Sequence, residues 1–261
     1  MNWSRQRGIR MTSTFDPENE EQLNRLADTL VANGLITRYD GGPERVYTIA
    51  ADQHGVASYY RNTTIHHFVN KAIIELALMK LAAFNSSSLE GFWEEAERLR
   101  DLFKFEFFYT PTEQFRDDVR AELNLFDPEW ERLLVDESGY AQKIVGECFP
   151  LVAHSTLLHF VEGYRIVADV LALQADDAEI DEAECVNKAL AYGRQAYLQQ
   201  RISSQASIGK LLFKNAFSLC SNMGITRGGD ASLGARRREL SQDLRELAHR
   251  IDIIRTIALP R

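Results

Sequence analysis

The most apolar stretch of the chain, residues 145–173, is interrupted by Glu147, Glu162, Arg165 and Asp169. A membrane span needs about 20 predominantly apolar residues with few or no charges. No charge-free run of that length occurs in the sequence. The segment from about 151 to 173 is therefore read as a helix buried in protein.

Further helical patterns lie on both sides of it. Asp16-Pro17 reads as an N-cap followed by proline in the first turn, and Leu23, Leu26, Ala27, Leu30 and Val31 follow at helical spacing. Gly34 stands where a left-handed residue ends a helix. Residues 35–39 and 46–49 flank Asp40-Gly41-Gly42-Pro43, which predicts a β-hairpin. Residues 65–84 keep an apolar stripe on Ile65, Phe68, Val69, Ala72, Ile73 and Leu76. Ser87 with Glu90 fits a capping box for a helix ending near Leu102. Residues 103–107 alternate like a strand directly after a helical pattern, and periodicity does not choose between the two. Phe115, Val119 and Leu123 mark a short helix, and Asp127-Pro128 repeats the Asp-Pro start. Helices are expected from about 185 to 200 and from 203 to 222. The latter ends at Met223-Gly224-Ile225-Thr226, an echo of Asn33-Gly34-Leu35-Ile36-Thr37 that fits a weak internal repeat or two similar helix ends. Residues 227–234 are Gly-rich. Beyond them Leu240, Leu244, Leu247, Ile251, Ile254 and Ala258 form a seam for another helix. The expected fold is mainly α, a multi-helix domain with a small winged-helix-like hairpin near its N-terminus. It divides into a flexible N-terminus (1–15), a helical domain (16–226), and a Gly-rich linker with an amphipathic Arg-rich helix (227–261).

Composition and motifs narrow the chemistry. The net charge is −8 over 261 residues, which makes the chain a poor general binder of nucleic acid, since phosphate contacts need clustered cations, and no nucleic-acid partner is expected. Helix plus hairpin is half of a winged-helix unit, but the helix carries Asp28 and little positive charge, which favours a packing module. Cys148, Cys185 and Cys220 are odd in number and widely spaced; they read as buried thiols in a reducing compartment. The N-terminus has no apolar core behind its charges, so no secretory signal is expected. Adjacent His66 and His67 point about 100° apart on a helix, and His154 and His159 stand five apart, so no metal site is expected. No nucleophile elbow, phosphate-binding loop or dinucleotide fingerprint occurs, and no cofactor is expected. Arg236-Arg237-Arg238 oppose the dipole at a helix start. They suit either a solvated surface or a polyanion, lipid headgroup or acidic partner. Tyr59-Tyr60-Arg61-Asn62 offers two phenols, a guanidinium and an amide. Two readings stand for it: a phosphate or partner contact, or a capping block with Asn62 as N-cap and the tyrosines on the hairpin.

The run Ala57-Ser58-Tyr59-Tyr60-Arg61-Asn62-Thr63-Thr64-Ile65-His66 resembles the TYYRNN-x-x-H block in the C-terminal region of bacterial glycerol-3-phosphate 1-O-acyltransferases. Leu102-Phe103-Lys104-Phe105-Glu106-Phe107-Phe108 is similar to that family's LK-x-ELF segment, and residues 198–226 to its final helix. The resemblance runs from about residue 16 to 226, leaving 1–15 and the Arg-rich terminal helix outside. It implies an enzyme that moves an acyl chain from acyl-CoA or acyl carrier protein to sn-glycerol 3-phosphate at the cytoplasmic face of the membrane. It does not carry over the catalytic residues, which lie upstream in a His-x-x-x-x-Asp motif. Five positions after His54, His66, His67, His154, His159 and His249 stand Tyr59, Lys71, Ala72, His159, Tyr164 and Ile254. The substrate block is missing as well, since Phe149-Pro150 continues into Leu151-Val152.

The resemblance thus implies a non-catalytic C-terminal portion, inactive alone. Its expected partners are an acyltransferase catalytic domain, in cis or in trans, and a membrane surface. Tyr59, Tyr60, Arg61, Asn62 and His66 are the expected interface, with Arg61 suited to a bidentate carboxylate or phosphate contact. The alternative is a free-standing interaction module that dimerises through its C-terminal seam.

Overall fold

Caps set the helix boundaries in the computed structural model, which describes residues 6–7, 9, 14–16, 19–50, 53–230 and 232–259. Pro17 and most of the expected flexible N-terminus lie outside the described residues. Helix α1 (Glu20–Ala32) is capped by Asn19, whose side chain accepts from the Gln22 N–H at 3.0 Å, rather than by Asp16. It ends in a Schellman motif. Gly34 sits at φ +70°, its N–H donates to Val31 O, and the Leu35 N–H donates to Leu30 O. Strands β1 (Thr37–Tyr39) and β2 (Val46–Thr48) form the expected antiparallel hairpin, with Arg38 opposite Tyr47.

Helix α2 (His54–Thr64) follows, then a 3₁₀ turn (Ile65–His67). Tyr59 through Asn62 are thus interior to a helix, so Asn62 caps nothing and the tyrosines are off the hairpin. The chain divides after His67 into a unit of residues 1–67 and one of residues 68–261.

The second unit is built around two helices that are apolar on nearly all sides. Helix α3 (Val69–Ala83) begins only after the 3₁₀ turn and packs against α4 (Leu89–Leu102), α5 (Thr112–Asn124), α7 (Tyr140–Glu147) and α8 (Ala153–Thr156). Ser88, not Ser87, caps α4; it accepts from the Gly91 N–H, so no Glu90 capping box forms. Residues 103–107 form turns, with Phe107 N–H donating to Phe103 O and Phe103 fully buried. Phe115, Val119 and Leu123 are buried along α5 as expected. Helix α6 (Trp130–Asp136) packs on α4 and α7, and Asp127 accepts from the Glu129 N–H ahead of it.

The second central helix is α9 (Leu158–Ala172). The single helix expected from 151 to 173 is in fact α8 and α9, which break at Leu157. Around α9 lie α10 (Glu182–Leu198), capped by Asp181, and α11 (Lys210–Asn222). Helix α11 is shorter than expected, because Gln205–Ser207 form a separate 3₁₀ turn. It ends at Gly224 (φ +71°) in the Schellman motif also seen at Gly34, which accounts for the local sequence echo.

The last helix, α12 (Leu233–Ala258), packs along α9 and also touches α3 and α8. Its 26 residues span about 39 Å at 1.5 Å per residue, enough to join both central helices. Leu240, Leu244, Leu247, Ile251 and Ile254 are buried in this packing. The expected dimerisation seam is therefore consumed inside the fold, which removes the free-standing dimer reading.

Only the middle residue of the arginine cluster is internal, while Arg236 and Arg238 are exposed. Arg237 is fully buried and donates to Ile225 O (2.8 Å), Ala175 O (2.9 Å) and Ala178 O (2.6 Å). Arg236 donates to Met223 O, and Arg238 pairs with Asp176. The α11 C-terminal carbonyls favour cations, and Arg237, being buried there, is neither solvated nor open to a polyanion. The Gly-rich segment is held to the acidic loop by Gly229 N–H to Asp177 O and Ile180 N–H to Thr226 O.

Candidate functional site

Tyr59, Asn62 and Thr63 share one face of α2, while Tyr60 and Arg61 turn away from it at about 100° per residue. Tyr59 and Tyr60 are 70% and 59% exposed, and their rings meet edge to face at 5.7 Å. Thr63 and Thr64 return their hydroxyls to the helix, donating to Tyr60 O and Arg61 O. Arg61 is half-buried, and burial lowers its pKa. His66 lies in the 3₁₀ turn, exposed, its ring 3.9 Å from that of His67. Burial, then the charge of His66, lowers the His67 pKa. The block is thus an exposed helical surface rich in hydroxyl, phenol and amide groups, rather than a pocket converging on one atom.

In the second unit, the charges inside apolar helices fasten one helix to another. Asp169 on α9 accepts from Tyr192 on α10 (3.1 Å) and from Ser241 (2.6 Å) and Arg245 (2.8 Å) on α12. Glu162 accepts from the Ser203 N–H and the Ser207 hydroxyl. Glu75 on α3 accepts from the Val152 and Ala153 N–H groups at the start of α8 and lies 3.4 Å from Lys71. Burial pushes the Glu75 pKa up to about 7 despite these partners. Glu95 is also buried, but Arg98, Arg250 and Lys80 surround it and more than offset the burial, holding its pKa at about 2. Such pairing is what permits a charge to persist in an apolar interior.

The nucleophile candidates are muted. Cys148, Cys185 and Cys220 are all buried, as the sequence implied. Burial pushes their thiols up to about 12, 11 and 12, away from the reactive thiolate. His154 has a buried Nδ1 with no hydrogen-bond partner among the described residues, and burial lowers its pKa. His159 is buried with its ring 3.8 Å from that of Phe160. Among the described residues, no group of three His, Cys, Asp or Glu side chains is placed to hold a metal ion. No helix among them is long and apolar enough to cross a membrane.

One feature escaped the sequence reading. A cavity of about 480 Å³ is lined by Leu190, Arg194, Tyr197, Leu198, Gln205 and Ile208. The signal was the helical spacing of 190, 194, 197 and 198, but its other wall comes from the irregular segment after α10, which periodicity does not describe.

These features define a mainly helical domain with an appended helix–hairpin, its internal charges committed to packing. Residues 1–228 match the family described as "Glycerol-3-phosphate acyltransferase C-terminal region". The chain belongs to that family. The match begins at residue 1, so the first 15 residues, expected outside the resemblance, lie within it. Proteins named "Putative acyltransferase plsB1" from Mycobacterium bovis and Mycobacterium tuberculosis are 33% identical over 247 residues, 93% of this chain. The chain spans only 40% of the length of these curated relatives. No solved structure gives a significant match.

Proposed function

We propose that the chain is the non-catalytic, scaffolding C-terminal portion of a glycerol-3-phosphate acyltransferase. The complete enzyme would transfer an acyl chain from acyl-CoA or acyl carrier protein to sn-glycerol 3-phosphate in phospholipid synthesis. One observation carries this reading: the matched family is a C-terminal region, and none of the six histidines here has an aspartate five positions on. The buried, high-pKa thiols support it, because they offer no substitute nucleophile. In this reading residues 16–226 form the accessory domain proper and α12 is an extension that clamps it. The partner is a catalytic domain, in cis or in trans, and the assembly works at the cytoplasmic face of the membrane as a peripheral protein.

Tyr59, Tyr60, Arg61, Asn62 and His66 are proposed as part of the contact with that catalytic domain. Exposed tyrosines beside an arginine are the composition that interface centres favour. The test is the equivalent of Arg61→Ala in the complete mycobacterial relative. A fall in acyl transfer or in association between the two parts is expected; wild-type behaviour in both removes the proposed contact.

A further inference from the structure

The helix–hairpin of the N-terminal unit is locally complete but has no interior. Its caps and register are in place, and Arg38 ties α1 to the hairpin by pairing with Asp28 (2.7 Å) and Asp40 (2.8 Å). Arg45 adds a second contact to Asp40. Yet α1 buries none of its residues, and both strands are exposed on both faces. Leu23, Leu26, Tyr39, Val46, Tyr47 and Ile49 all remain open, with Tyr39 at 62% and Val46 at 53%. Among the described residues 6–67, only Ile65 is buried. A two-stranded hairpin or a 13-residue helix is marginal alone in water, and a unit this small cannot make up the deficit without burying an apolar face. Side chains arranged so regularly and left open are half of an interface.

We infer that the open apolar side chains of α1 and of the hairpin, Tyr39 and Val46 on one of its faces and Tyr47 and Ile49 on the other, close onto the acyltransferase part that the relatives carry ahead of the matched region. The inference rests on the accessory-region reading and names the surface that does the docking. The occupant follows from chain connectivity. The match is to a C-terminal region and spans 40% of the relatives' length, so in them the remaining chain enters next to this unit. Covalent linkage to that part raises its effective concentration at this unit. The unit's apolar residues are interspersed with the paired charges Asp28, Arg38, Asp40 and Arg45, which calls for an apolar surface that also carries both signs of charge.

The test is hydrogen exchange on the 261-residue chain and on the complete Mycobacterium tuberculosis relative. In the chain alone, amides of α1 and the hairpin should exchange within about tenfold of unstructured rates, while those of α3 and α9 stay protected. In the complete relative, the amides matching α1 and the hairpin should be protected at least ~100-fold more. The double variant Leu26→Asp, Val46→Asp should leave the melting temperature of the chain unchanged. Its equivalent in the complete relative should remove that added protection and lower acyl transfer by about tenfold or more. Equal protection in chain and relative overturns the inference, because the rest of this chain or a second copy then closes the face. If that occurs while the Arg61→Ala equivalent still impairs the relative, the accessory-region reading stands and only this surface is wrong. If removing the matched region from the relative leaves acyl transfer intact, both fall.

Discussion

Arg237→Ala isolates the role of the arginine cluster. The guanidinium is fully buried and donates to three backbone carbonyls, those of Ile225, Ala175 and Ala178. A hydrogen bond to a charged group contributes about 1.5–3 kcal/mol, and a buried carbonyl left unsatisfied costs about 1–3 kcal/mol. The carbonyls left behind sit just past α11 and in the acidic loop, where Arg236 and Arg238 already hold Met223 O and Asp176. We therefore expect a loss of about 4 kcal/mol, which for a domain of this size lowers the melting temperature by about 8–16 °C. Arg237→Lys keeps the charge but cannot span three acceptors, and should lose about 2 kcal/mol. The assay is urea denaturation followed by helical circular dichroism, with thermal melts in parallel. A loss below about 1 kcal/mol for Arg237→Ala would refute the reasoning. So would a folded variant that had only lost affinity for anionic vesicles, since the cluster would then be a surface site.

Four further outcomes follow from the geometry. Glu75 has a folded pKa of about 7 against an ordinary 4.5, so the folded state binds the extra proton between those values. Stability should therefore fall as pH rises from 4.5 to 7, by on the order of 3 kcal/mol from this group, and Glu75→Gln should flatten that slope in urea titrations. Glu95 acts in the opposite sense, its stabilisation being lost as pH falls from about 4.5 toward 2. Gln200 holds φ +56° in a Schellman end, where Arg201 N–H donates to Ala196 O; Gln200→Gly should stabilise by about 1 kcal/mol, and a lower melting point would contradict this. The three buried thiols should resist an alkylating reagent at pH 8 in the native chain and all react in denaturant; fast native labelling would show the burial to be wrong.

Some of this was legible in the sequence for local reasons. Gly34, the 115/119/123 stripe and the end of α4 at Leu102 were read correctly, because caps and short-range periodicity act within a turn or two. The seam on α12 was read correctly as a seam and wrongly as a free one, since spacing reports that a face is apolar but not what covers it. Arg237 was opaque for a related reason: its partners are backbone carbonyls up to 62 residues away, which carry no side-chain signature. The alternation at 103–107 marks no strand: Phe103 and Phe107 pack on Phe160 and Glu106 accepts from Tyr164, while Lys104 and Phe105 are exposed. The Tyr59–Asn62 block stood out by its polar side chains and then by resemblance; that it lies within a helix was hidden by Asn62, which reads as an N-cap, whereas Thr63 and Thr64 return their hydroxyls to the preceding turn of a helix already under way.

The most direct test of the account is acyl transfer by the purified 261-residue chain, supplied with sn-glycerol 3-phosphate and long-chain acyl-CoA, beside the complete mycobacterial relative. The account predicts no acylated product above background from the chain and product from the relative. Product formed by the chain on its own would contradict it.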